Sequence, residues 1–93
     1  MVIGVCTLVL AIPGSQSLKD KRRALRSVLD GVRQRFNVSA AEVGELDIWR
    51  RAVVGIVCVS NEQKFCDQVL NKALDWVENN YSVEVLDVAM EYL

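Results

Sequence analysis

The sequence predicts an α+β fold in a single domain, residues 1–93, with a four-stranded antiparallel sheet that carries two helices on one face. Two runs, Val2–Ile12 and Ala52–Val59, are apolar at odd and even positions alike, which is typical of central strands. Two longer segments have the 3.6-residue spacing of amphipathic helices. A chain of 93 residues with 52% hydrophobic content is large enough for one core and too small for two.

The first strand and the first helix are separated by a strong stop signal. Pro13-Gly14 ends the strand predicted over Val2–Ile12. Ser17 and Asp20 have the spacing of a capping box, so the helix is predicted from Ser17 to about Arg35. The predicted core stripe of this helix consists of Leu18, Leu25, Val28, Leu29, Val32 and Phe36. Gly31 lies outside the stripe, and we expect close packing at that flank of the helix.

A hairpin follows, because the strand predicted over Val38–Val43 is joined to Ala52–Val59 by a short connector. A second capping box, Ser60 with Gln63, predicts a helix from Asn61 to about Asn79 with an acidic outer face. The last predicted strand spans Val83–Tyr92. In it, Leu86, Val88, Met90 and Tyr92 alternate with Asp87, Ala89 and Glu91.

The resulting order, β-α-β-β-α-β, is that of the ferredoxin-like fold. Right-handed crossovers place the first and third strands in the middle of the sheet, and these are the two fully apolar runs. The sheet face opposite the helices is then both bare and apolar, so we expect a homodimer in which a second copy covers it. The alternative is that Gly4, Thr7, Gly55 and small neighbours leave only a tolerable patch.

Cysteine usage and the absence of a long apolar segment favour a cytoplasmic protein. Cys6, Cys58 and Cys66 are widely spaced and predict free buried thiols. The longest apolar run, Met1–Ile12, is far shorter than the ~20 residues that span a bilayer, and it lacks the features of a signal peptide, so we expect no membrane contact. The chain has no histidine and no catalytic motif, and we expect neither enzymatic activity nor a cofactor or metal.

Charge is distributed unevenly along the chain. Residues 1–51 contain nine Lys and Arg against five Asp and Glu, whereas residues 52–93 contain two against seven. On the first helix, one flank within about 100° of arc collects Lys19, Arg22, Arg23, Arg26 and Arg33. This flank, together with Lys21, predicts contacts with nucleic-acid phosphates. The alternative is a solvated face, or one whose cations pair with acidic residues elsewhere in the fold.

Two further stretches are candidates for ligand contacts. Trp49, followed by Arg50, lies at the hairpin bend and could stack on an unpaired base; the alternative is that the indole folds back onto the sheet. The turn before the first helix could bind an anion, but it has one glycine and no P-loop motif. It also lacks the arginine that ferredoxin-like acyl-phosphate hydrolases place there, which argues against that activity.

The chain resembles the YlxP-like family of small bacterial proteins, a domain family of unknown function. The resemblance covers essentially the whole chain and is most specific at SLKDKR (Ser17–Arg22), FNVSAAEV (Phe36–Val43) and Asp47-x-Trp49. It implies a ferredoxin-like fold and a bacterial cytoplasm. Members of that family are often encoded among translation and ribosome-maturation genes, near ribosome-binding factor A, which implies a ribosomal or RNA role. The family carries no established catalytic residues.

The sequence therefore predicts a non-enzymatic RNA-binding or ribosome-associated protein that uses its basic first helix. The alternative function is a dimeric protein-interaction or small-ligand regulatory module that uses the exposed sheet face. The RNA, the protein partner and any small ligand are not specified by the sequence.

Overall fold

The computed structural model describes the whole chain, residues 1–93, as four strands and two helices. The sheet order is β2-β3-β1-β4, and every neighbouring pair of strands is antiparallel. This architecture confirms the predicted ferredoxin-like fold. Neither helix is long and apolar enough to cross a membrane. The elements are β1 (Val2–Ala11), α1 (Leu18–Arg35), β2 (Ser39–Gly44), β3 (Arg51–Ser60), α2 (Gln63–Asn80) and β4 (Glu84–Tyr92).

The central strands β1 and β3 supply much of the core. Leu8 and Leu10 of β1 and Val54 and Ile56 of β3 are buried among the helix side chains, and Leu8 lies opposite Val54 in the ladder. The alternate residues of both strands point to the other side of the sheet and are mostly half-buried. We call that second side the open face; it includes Val5, Val9, Val53, Val57 and Val59.

Helix α1 begins where its capping residues predict. Ser17 is the N-cap, and its Oγ accepts a hydrogen bond of 3.0 Å from the Asp20 N–H. The Asp20 carboxylate reaches back and accepts from the Gln16 N–H at 3.0 Å. Three residues of the predicted stripe, Leu25, Val28 and Val32, are fully buried, and the other three are half-buried. The fourth buried side chain of the helix is Lys21, which the sequence analysis placed among the ligand contacts.

Helix α2 begins two residues later than predicted, and the predicted capping box at Ser60 is wrong. The N-cap is Glu62, whose side chain makes no capping hydrogen bond. Ser60 is the last residue of β3, and its Oγ accepts instead from the Glu62 N–H in the intervening turn, at 3.3 Å. A serine hydroxyl can accept a hydrogen bond from a backbone N–H in a turn as readily as from one at a helix N-terminus, because both places have N–H groups without a backbone partner.

The flank of α1 at Gly31 is closely packed, as expected. A Cβ built on Gly31 would lie 1.9 Å from the Tyr81 hydroxyl and 3.5 Å from the Trp76 Nε1. Next to it, the Arg35 guanidinium lies over the Trp76 ring, 3.9 Å from its centroid. Two aromatic side chains, Trp76 of α2 and its C-cap Tyr81, therefore make this contact with α1. The contact leaves no room for a side chain at position 31, so it requires glycine there.

Both edge strands contain an irregularity that changes which residues face the core. Val9 lies opposite Asp87 whereas Leu10 lies opposite Val85, so Leu86 is an extra residue in β4 and is 50% exposed. The sequence predicted that Leu86 faces the core. In the structure Val85 faces the core instead. In β2 the shift falls between Glu42 and Gly44, and the methyl groups of Val43 lie above Gly55 on the open face.

Candidate nucleic-acid interface

Four cations on one flank of α1 form a continuous basic surface. Lys19, Arg22, Arg23 and Arg26 are all exposed, and they are the only residues that line a surface cavity of about 400 Å³. We call these four residues the cation group. The spacing of one helical turn brings them together, because positions three and four apart lie on the same flank. Arg22 and Arg26 also line the neighbouring cavity of about 500 Å³, which extends toward β2.

No member of the cation group forms an ion pair. The three ion pairs of the protein join Lys21 to Glu42, Arg33 to Asp30 and Arg51 to Glu45. The acidic residues of α2 therefore form no ion pair with the cations of α1. The sequence had left such pairing open as an alternative, because the two halves of the chain carry opposite net charge. Four unpaired like charges on adjacent turns weaken an isolated helix by a few tenths of a kcal/mol per pair. They leave this surface free to bind an external anion.

The structure removes Lys21 from the predicted set of phosphate contacts. Its side chain is 1% exposed, and its ammonium lies 2.8 Å from Glu42 Oε2. The same nitrogen donates to the carbonyl oxygens of Glu45 and Ile48, each at 2.7 Å. The ammonium therefore makes two hydrogen bonds and one ion pair, all inside the protein. A phosphate cannot reach it.

A signal for this role of Lys21 was present in the sequence. Lys21 is four residues before Leu25 and seven before Val28, so it falls in the apolar stripe of the helix rather than on the basic flank. Its partners carry no such signal, because two of them are backbone carbonyls of a loop more than twenty residues away. Only the folded chain brings these groups together.

Arg33 lies next to the cation group, but its guanidinium is already engaged. Nη1 lies 3.1 Å from Asp30 Oδ1, and Nη2 donates to the carbonyl oxygen of Ala40 on the outer edge of β2. The side chain remains 44% exposed, so one side of the guanidinium still faces solvent. Arg33 therefore ties α1 to β2 and can contribute to ligand binding only through its remaining surface.

The loop between β2 and β3, residues 45–50, lies against the start of α1. Trp49 is 52% exposed and is not among the side chains that pack against the core. Arg50 is exposed too, and its Nε donates to the carbonyl oxygen of Ser15 at 2.9 Å. The Lys21 contacts bring the same loop to the first turns of α1, where the cation group begins. The indole and the cations predicted from distant parts of the sequence therefore belong to one end of the molecule.

The turn before α1 offers little to an anion. The Ser15 N–H donates to the Ile12 carbonyl, the Gln16 N–H to Asp20 and the Asp20 N–H to Ser17. The Asp20 carboxylate occupies the position at the helix N-terminus that an anion would take. The basic surface on the flank of α1 is the stronger candidate.

The three cysteines are buried free thiols, as predicted. Burial raises the pKa of the Cys6 thiol above its ordinary value. Burial, followed by a hydrogen bond with Cys66, raises the pKa of Cys58 to about 11. A thiol with a raised pKa is protonated at neutral pH and is a poor nucleophile, so Cys6 and Cys58 belong to the core rather than to a reactive site.

The fold and this surface define a small ferredoxin-like α+β protein with an unpaired basic flank on its first helix. The chain belongs to the family described as "Protein of unknown function (DUF503)", whose model matches residues 3–90. It is 32% identical over 83 residues to the uncharacterized protein YlxP of Bacillus subtilis (strain 168), a match that covers 89% of this chain and 90% of that protein. The resemblance to the YlxP-like family is thereby confirmed.

Proposed function

We propose that the protein is a non-enzymatic RNA-binding or ribosome-associated module whose cation group binds backbone phosphates. The observation that carries the proposal is the single cavity lined only by Lys19, Arg22, Arg23 and Arg26, none of which is paired with a carboxylate. Cations that are already close together, exposed and unpaired can bind a polyanion without first breaking internal ion pairs. Trp49 and Arg50 assist from the neighbouring loop.

A phosphate-dominated complex has a characteristic salt dependence. Each phosphate contact with a single strand contributes a slope of about −0.7 in log affinity against log salt. Four contacts then predict a slope of about −3. The proposal places the protein in the bacterial cytoplasm, which suits three unpaired thiols and a relative from Bacillus subtilis.

The test is co-sedimentation with ribosomes after charge reversal of the cation group. We expect the double variant Arg22→Glu, Arg26→Glu to lose co-sedimentation while its circular dichroism spectrum stays that of the wild type. The matched control is Lys64→Glu, Lys72→Glu, which makes the same change in net charge at two exposed positions of α2. Normal co-sedimentation of the α1 variant, or equal loss in both variants, would contradict the proposal.

A second candidate function rests on the open face. Val59 and Val43 are 61% and 60% exposed, and Val5, Val9, Val53 and Val57 continue the same apolar surface across the two central strands. A contiguous apolar surface of this kind is typical of an interface. We propose that a second copy of the chain covers it and forms a homodimer.

Equilibrium sedimentation at micromolar concentration tests the dimer. We expect Val9→Glu or Val57→Glu to produce a folded monomer, because each puts a charge in the middle of the open face. RNA binding by the same variants should be unchanged, since the cation group lies on the helix side. A wild-type monomer under these conditions would rule the dimer out.

A further inference from the structure

We propose that Lys21 is a positioning residue that fixes the loop of residues 45–50, so that Trp49 presents its ring beside the cation group. The ligand class that this arrangement suits is RNA containing an unpaired nucleotide, rather than a continuous duplex. This inference rests on the proposed RNA-binding function and specifies which RNA it takes.

The environment of Lys21 is that of an anchor between three elements. The residue itself belongs to α1, Glu42 belongs to β2, and the two carbonyls belong to the loop. A buried ammonium is costly unless it is paired and hydrogen-bonded, and here two hydrogen bonds of 2.7 Å and an ion pair of 2.8 Å meet that requirement. Apolar residues in place of both Lys21 and Glu42 would stabilise the fold as well or better. What the ammonium adds is a defined loop geometry.

The loop is held at further points by polar contacts. The Glu45 carboxylate lies 2.9 Å from Arg51 Nε, and the Arg50 carbonyl accepts from the Ile12 N–H at 2.8 Å. Glu45 has a φ of +53°, the one positive value among the non-glycine residues. Backbone held in that region costs free energy and occurs preferentially at ligand-binding sites.

The apolar side chains of the same loop are directed outward. Leu46, Ile48 and Trp49 are 57%, 47% and 52% exposed. These three large apolar side chains lie beside the exposed Asp47 and Arg50, whereas an ordinary solvated loop exposes mainly polar side chains. Such a rigid apolar surface is preorganised for contact with another flat apolar group.

Unpaired RNA bases meet this requirement next to a phosphate-binding surface. The ring of an unpaired base can stack on an exposed indole, and its own phosphates lie within reach of the neighbouring cations. In an A-form duplex the bases are stacked inside and the ring of Trp49 has nothing to stack on. A duplex would therefore be bound by the cation group alone.

The test compares two RNAs on the folded, full-length protein. A short labelled single-stranded RNA of mixed sequence and its duplex with the complementary strand are titrated at several salt concentrations. We expect the wild type to prefer the single strand by about tenfold, the contribution of one stacked base. Lys21→Met keeps the apolar stem and removes the ammonium, and Lys72→Met on the exposed side of α2 is the matched control. We expect Lys21→Met to lose the preference while the salt slope and the duplex affinity stay unchanged.

A readout that needs no RNA separates the loop from the ligand. The protein has two tryptophans, so fluorotryptophan labelling produces two fluorine NMR signals, which Trp49→Phe assigns. We expect Lys21→Met to shift or broaden the Trp49 signal and to leave the Trp76 signal unchanged. If Lys21→Met fails to fold, the double variant Lys21→Met, Glu42→Leu replaces both partners and leaves no unpaired buried carboxylate.

The outcomes are distinguishable. If the wild type binds neither RNA, the proposed function fails, and binding instead to phosphatidylglycerol vesicles would identify a lipid surface as the ligand. If it binds single strand and duplex equally, RNA binding stands and this inference is overturned. If Lys21→Met keeps both the single-strand preference and the Trp49 signal, Lys21 is not the positioning residue.

Discussion

Helices α1 and α2 are each 18 residues long and lie on the same face of one sheet, yet their polar surfaces differ in kind. On α2 the amide groups of Asn71, Asn79 and Asn80 donate to backbone carbonyls one turn earlier, and Asp67 accepts from Tyr92. The cation group of α1 has no corresponding partners. Three amides and one carboxylate of α2 are thus satisfied within the protein, whereas the cation group of α1 has no partner within it.

The largest effect is expected at the one lysine of α1 that is satisfied internally. Lys21→Ala removes a buried ammonium and its stem, and it takes away the cation that contacts Glu42 and the carbonyls of Glu45 and Ile48. We expect a loss of about 3 kcal/mol in the free energy of unfolding, measured by urea denaturation. Lys19→Ala, two residues earlier and exposed, should change it by less than about 0.5 kcal/mol. Equal losses of unfolding free energy in the two variants would show that the buried Lys21 contributes no more to stability than the exposed Lys19.

A smaller effect should appear where α2 approaches the sheet. A Cβ on Gly4 would lie 2.9 Å from Cys66 Cβ and 3.0 Å from Leu70 Cδ1, so Gly4→Ala has to displace the helix. We expect a loss of about 1–3 kcal/mol in thermal or urea unfolding.

The matched control for this substitution lies on the open face. A Cβ on Gly55 would meet only Val43 methyl groups, the nearest at 3.4 Å, which is ordinary contact. Gly55→Ala should be neutral or stabilising by up to about 1 kcal/mol. A neutral Gly4→Ala would show that α2 is seated less closely than the structure indicates.

The contact of α2 with β4 predicts a pH dependence. The hydrogen bond from the Tyr92 phenol to the Asp67 carboxylate, with burial and the negative charge, raises the pKa of Tyr92 from 10.0 to about 12. The unfolded chain loses this proton first, so the stabilisation is complete below about pH 10 and is lost as the pH rises to about 12. Asp67→Asn should return the pKa of Tyr92 toward 10.0, seen as tyrosinate absorbance in an alkaline titration. An unchanged titration curve would contradict the contact.

The smallest effect is expected on the flank of α1 itself. Arg22→Ala relieves repulsion with Arg26 one turn away and breaks no ion pair. We expect the free protein to gain a few tenths of a kcal/mol at low salt and nothing at high salt, measured by thermal unfolding. The same substitution should weaken RNA binding. A marked destabilisation would mean that Arg22 has a structural partner, and the contrast between the two helices would then be lost.

Much of the fold follows from local patterns in the sequence. The apolar runs at Val2–Ile12 and Ala52–Val59 predicted the central strands, and Ser17 with Asp20 predicted the start of α1, because period and capping depend only on residues a few positions apart. The edges were predicted less well. The bulge at Leu86 and the late start of α2 at Gln63 depend on how one strand or turn meets its neighbour.

The candidate site, too, was predicted only in part from the sequence. The sequence determined that Lys19, Arg22, Arg23 and Arg26 share one flank, because helical spacing alone places them there. Only the tertiary structure decided that these four are unpaired and that Lys21 is buried among loop carbonyls. The physical reason is the length of the lysine and arginine side chains. Such a side chain can reach partners anywhere within several ångströms, and the fold, not the neighbouring sequence, determines which groups are there.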